Sequence, residues 1–150
     1  MNDLNATTGF PLDFCEWVAP ASLQRWVQEE LKNVTDPAAQ GGRKTLLGVL
    51  AFAYARGIFD SEEILGLCRS DPLFKALHGT GEFSWEDMLD ARHKDRTPLI
   101  NFMMRVLTRA VAEKHGVPAA SLDPALKRRL HENVVDRLDN ARNMDRGEEE

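Results

Sequence analysis

Between Leu46 and Tyr54 the chain reads LLGVLAFAY, nine residues without a charge. On a helix, Leu46, Leu47, Val49, Leu50, Phe52, Ala53 and Tyr54 wrap most of the circumference. A helix that is apolar all round must be enclosed by other elements, so one central helix, from about Arg43 to Arg56, constrains the fold. Gly57 is placed to end it as a C-cap. A chain of 150 residues can supply the surrounding core as a single domain.

The segments around it are also helical in pattern. Pro20-Ala21-Ser22 opens a helix to about Asn33 with Leu23, Trp26, Val27 and Leu31 on one face. Asp36-Pro37 to Gly42 reads as a loop. Asp60-Ser61-Glu62-Glu63 reads as an N-cap followed by a capping-box acid, with Ile64, Leu65, Leu67 and Cys68 turned inward. Asp71-Pro72 starts a further short helix with Leu73, Phe74 and Leu77 inside, and His78-Gly79-Thr80-Gly81 is a turn. Ser84 is an N-cap candidate for a helix to about Lys94, whose large apolar residues are Trp85, Met88 and Leu89, making it the most exposed of the middle segment. Thr97-Pro98 begins a helix to about His115, stopped by Gly116 and Pro118. Asp123-Pro124 begins the last, with Leu126, Leu130, Val134 and Leu138 four residues apart. No segment has strand periodicity.

The expected fold is therefore all-α, a compact single-domain bundle of six or seven helices with a helix-turn-helix-like middle segment. Residues 1–19 form an irregular N-terminal segment pinned by Phe10, Leu12, Phe14 and Trp17. Residues 20–139 form the helical domain, packed around the 43–56 and 98–115 helices. Residues 140–150 are a polar acidic tail that should fray.

The formal net charge is -5, which excludes a polyanion binder that uses its whole surface. The charge is uneven. Residues 41–115 carry eleven Lys and Arg against ten Asp and Glu, whereas residues 1–40 carry two against six and residues 116–150 six against eight. Any nucleic-acid contact must be local. Cys15 and Cys68 are too far apart in sequence, and too isolated from the histidines, for metal-ligand spacing; both read as reduced thiols of a cytoplasmic protein. No apolar run is long enough for a membrane span and no secretory leader is recognisable at Met1 to Phe14.

Motifs that would carry chemistry are incomplete. Gly41-Gly42-Arg43-Lys44-Thr45 lacks the glycine spacing and the preceding strand of a phosphate loop. His131-Glu132 starts like a zinc-protease helix, but Val135 stands where the second histidine should be. Ser22, Ser61, Ser70, Ser84 and Ser121 lack a nucleophile elbow. Glu86, Asp87 and Asp90, with Asp95 beyond, read as a solvated helix face rather than a magnesium site. The expectation is no catalytic residue, no metal, no cofactor and no small-molecule substrate. Arg92, His93, Lys94 and Arg96 form the best basic cluster of the middle segment. They could contact phosphates, or complement the macrodipole of the helix they end. Lys127-Arg128-Arg129 is a second cluster and reads as a solvated face.

Taken together, residues 43–93 resemble the N-terminal helical domain of bacterial insertion-sequence transposases of the IS5 and IS1182 type. The points of resemblance are the step Tyr54-Ala55-Arg56-Gly57, the helix ending Leu67-Cys68-Arg69, Asp71, the helix ending Leu77-His78-Gly79, and the opening Phe83-Ser84. Their order and spacing carry the likeness. In that family the segment is thought to bind transposon-end DNA and to help dimerise. The resemblance implies Ser84, Arg92, His93, Lys94 and Arg96 as DNA-contacting residues. Two departures are visible. Met88, Asp90 and Ala91 stand where the family commonly carries basic or aromatic residues, and the strand-rich domain that holds the family's three catalytic acids does not follow within these residues. Two functions are thus expected: a non-catalytic transposase-derived DNA-binding module or regulator, or a protein-interaction or dimerisation domain without DNA binding.

Overall fold

The computed structural model describes residues 9–34, 42–78, 85–94 and 96–149, leaving aside the side chains of 42, 43, 78, 85, 89, 92, 93 and 145–149. Among them it contains seven α-helices and no strand: α1 (Pro20–Leu31), α2 (Gly42–Ala55), α3 (Ser61–Ser70), α4 (Pro72–His78), α5 (Trp85–Lys94), α6 (Arg96–His115) and α7 (Pro124–Glu149). Single 3₁₀ turns occupy Phe14–Glu16 and Ala119–Ser121. The loop expected at 36–42 and the turn at 78–81 lie mostly outside the described residues.

The apolar helix is the hub. Val49, Phe52, Ala53 and Tyr54 of α2 are fully buried, and α2 packs against α1, α4, α5, α6 and α7. Gly48 lets α1 come close. A Cβ there would lie 2.8 Å from Leu31 Cδ1. Gly57 adopts φ +74°, the left-handed conformation that ends a helix at low cost only with glycine. Its N–H bonds to Tyr54 O and the Ile58 N–H to Ala53 O, so the last carbonyls of α2 are satisfied. The caps read from the sequence are formed at α3, α4 and α7. Asp60 Oδ1 accepts from Glu62 N, Asp71 Oδ1 from Leu73 N and Phe74 N, and Asp123 Oδ1 from Ala125 N.

The other large element is the antiparallel pair α6 and α7. Leu99, Phe102, Met103, Val106, Leu107, Ala110 and Val111 of α6 are buried, as are Leu130, Val134 and Leu138 of α7. Three expectations need correction. The chain does not turn to a tail at Asn140: α7 continues to Glu149, with Ala141 buried on the same face and no proline after it. Among the described residues of the N-terminal segment, Phe10 and Phe14 are buried, but Leu12 is 44% exposed rather than inserted. Leu65, Leu67, Leu73 and Leu126 reach the core only in part, since α3, α4 and the start of α7 are peripheral.

Candidate functional site

The helix α5 is the third of a cluster of short helices. It packs against α3, α2, α6 and α7 and uses a narrow face to do so, with Met88 and Ala91 buried. Glu86, Asp87, Asp90 and Lys94 point to solvent. Buried positions three apart and exposed positions on the other side are what a peripheral amphipathic helix requires.

The residues expected to form a DNA-contacting group are distributed as follows. Ser84 lies outside the described residues, as does Asp95. Arg92 and His93 stand in the last turn of α5. Lys94 Nζ lies 3.7 Å from Asp90 Oδ2, one turn earlier on the same exposed face, and both side chains are about two-thirds exposed at 67% and 64%. Such an exposed pair is weak and breaks easily. Arg96 begins α6 and is held more firmly. Its Nη2 donates to Asp139 Oδ1 of α7 at 2.9 Å, and Arg142 approaches the same oxygen at 4.0 Å. Arg96 therefore ties α6 to α7 as well as standing at the end of the basic cluster.

Two polar networks are not legible as sites in the sequence. The first centres on Arg137, the largest fully buried side chain. Its Nε donates to Asn133 Oδ1 at 2.6 Å. One terminal nitrogen donates to Leu12 O at 2.7 Å and Tyr54 O at 2.6 Å, and the other to Pro11 O at 2.6 Å. The ring of Phe14 lies 4.9 Å from the guanidinium carbon. Arg137 thus joins α7 to the C-terminal end of α2, where a cation suits the helix dipole, and to the extended N-terminal segment. Burial lowers its pKa to about 10, still far above neutrality, with Asp13 acting in the opposite sense. The signal that could reveal it is position: Arg137 falls three residues after Val134 and four before Ala141, on the apolar face of α7. The second network links α1 to α6. Arg109 bonds Glu29 at 2.7 Å and Glu30 at 3.3 Å, Arg105 pairs with Glu30 at 3.4 Å, and Arg109 stacks over Trp26. The Arg109 hydrogen bond holds the Glu29 carboxyl below its ordinary value.

These networks organise the fold and offer no reacting group. Burial pushes both thiols up to about 11, Cys15 with help from Asp13, so they are poor nucleophiles. Among the described residues no three His, Cys, Asp or Glu side chains are grouped to hold a metal. An open cleft of about 520 Å³ between α1 and α4 is unenclosed and mixed in character, with Arg25, Gln28, Glu29 and Lys32 beside Leu31, Ala76 and Leu77. No described helix is long and apolar enough to cross a membrane. The chain matches no protein-family model, no curated protein and no solved structure.

Proposed function

We propose that this chain is a non-catalytic, transposase-derived DNA-binding module or regulator that presents α5 to a duplex. The observation that carries this proposal is the position of α5. It is the last of three short helices, it packs on α3 with α4 between them in the chain, and only Met88 and Ala91 of its described side chains are buried. The basic end with Arg92, His93, Lys94 and Arg96 would meet phosphates, and Ser84, at the sequence position before α5, would reach the backbone. The resemblance of residues 43–93 to transposase N-terminal domains supports the same function.

The test is duplex binding by variants. Replacing Arg92, Lys94 and Arg96 with Ala should weaken binding to all sequences alike and flatten the salt dependence by about one unit of log K per log salt for each phosphate no longer neutralised. Asp90→Arg should strengthen it, because Asp90 shares the exposed face and holds Lys94. Unchanged affinity in the triple variant would remove α5 from the interface.

A second function, a protein-interaction or dimerisation domain, is favoured by one feature. The outward face of α5 carries Glu86, Asp87 and Asp90, and the Arg96 cation is already paired with Asp139. Absence of duplex affinity at low salt would make this the better assignment.

A further inference from the structure

The charged residues of the molecule sort by their partners. Arg25, Arg56, Lys94, Arg96, Arg105, Arg109 and Arg142 each have a carboxylate within 4 Å, and Arg137 is spent on carbonyls. One run of neighbouring cations among the described residues has no such partner: Lys127, Arg128 and Arg129, in the opening turns of α7. Arg128 and Arg129 are exposed and Lys127 half-buried. The start of a helix is the end where cations are disfavoured, so the helix dipole does not account for them. The acid next to them, Asp123, is occupied in capping Ala125 N. Lys114, on the last turn of α6, stands at the same end of the antiparallel pair, over the ring of Trp17.

We infer that Lys127, Arg128 and Arg129 form a second phosphate-contacting surface, which engages the nucleic-acid backbone across a groove from the α5 end. This inference rests on the DNA-binding function proposed above and corrects where its strongest backbone contacts lie. The geometry is set by α7. Arg128 and Asp139 are three helical turns apart, so they share a face, about 16 Å from each other along the axis. Arg96 is bonded to Asp139. The two cation groups therefore bracket one side of the molecule at a spacing comparable with a duplex major groove, about 12 Å wide, whose phosphates line both rims. Glu132 and Asp136 lie between them on α7. Burial and the charges of Asp139 and Glu132 raise the Asp136 carboxyl above its ordinary value. In this placement those acids stand over the open groove and the cations over its two rims.

The experiment measures binding of a fluorescent mixed-sequence duplex from about 50 to about 200 mM salt, for wild type, for Lys127→Ala/Arg128→Ala/Arg129→Ala, and for Arg92→Ala/Lys94→Ala/Arg96→Ala. Alanine favours helix at all six positions, and thermal unfolding of each variant checks the fold, since Arg96 ties α6 to α7 and Lys127 is half-buried. The α7 variant should lose about two to three units of salt slope, near 0.9 for each phosphate, and more than the α5 variant loses. Wild-type binding with an unchanged slope in the α7 variant overturns this inference and leaves the DNA-binding function standing. No wild-type binding at the lowest salt overturns that function, and this inference with it. Binding to phosphatidylserine vesicles that needs the three α7 cations, in the absence of duplex binding, overturns it in favour of a membrane surface.

Discussion

Replacing Arg137 with Met should bring the domain close to unfolding. Methionine keeps much of the length of the side chain and removes every donor. Four hydrogen bonds disappear, to Asn133, Leu12, Tyr54 and Pro11. Tyr54 O retains the bond from Gly57 N. The carbonyl of Pro11 loses the guanidinium that holds it, at about 1–3 kcal/mol for a buried acceptor left unsatisfied, and that of the more exposed Leu12 loses it at a smaller cost. Loss of the favourable cation at the end of α2 adds up to about 2 kcal/mol. Relief from burying a charge offsets part of this, as the lowered pKa of Arg137 indicates. The net loss is about 3–5 kcal/mol, against a total stability of about 5–15 kcal/mol for a domain. Urea unfolding followed by circular dichroism measures it. With a slope of about 2 kcal/mol per molar urea, the midpoint should fall by about 2 M. Arg137→Lys should recover only part of the loss, because an ammonium cannot span carbonyls from two segments. A midpoint within about 0.3 M of wild type in Arg137→Met would refute the role given to this residue.

Leu50→Asp or Phe102→Asp should abolish cooperative unfolding, since each places an unpaired charge in a fully enclosed position, whereas Asp90→Ala on the exposed face of α5 should leave stability within about 0.5 kcal/mol of wild type. Gly57→Ala should destabilise by about 1–3 kcal/mol, because φ is +74° and the new Cβ would meet Leu12 Cγ at 2.7 Å; an unchanged melting curve would contradict the α2 cap described above. Cys15 and Cys68, raised to about 11 from an ordinary 9.0, should react with iodoacetamide at pH 8 about a hundredfold more slowly in the native chain than in urea. The folded state holds these two protons where the unfolded chain releases them, so the same thiols should lower stability as pH rises from about 9 through about 11. Chelator or reductant should leave thermal unfolding unchanged, because the core is apolar and both cysteines are free; a large loss of helix signal with either would contradict this.

The helical architecture is legible in the sequence because it depends on local features. An uncharged run can be enclosed only as a central helix, and Asp60, Asp71 and Asp123 announce helix starts by the oxygen they offer to N–H groups two or three residues on. The end of α7 is not legible. Polar composition after Asn140 resembles a tail, while the burial of Ala141 is tertiary. By composition Arg137 is one more charge on a polar helix, although its position on the Leu130, Val134, Leu138 face places it inside. Its backbone partners are carbonyls more than eighty residues away, which no local pattern reveals. The basic end of α5 is visible as composition. That Arg96 is tied to Asp139 is not, because this pairing requires the antiparallel register of α6 and α7.

The proposed DNA binding is tested most directly by the affinity of the wild-type chain for a mixed-sequence duplex as a function of salt. Binding that weakens steeply, with log K falling linearly by about three to five units per unit of log salt, is the predicted result, since each phosphate contact releases a counterion. No binding at about 50 mM salt, or binding that salt leaves unchanged, would contradict it.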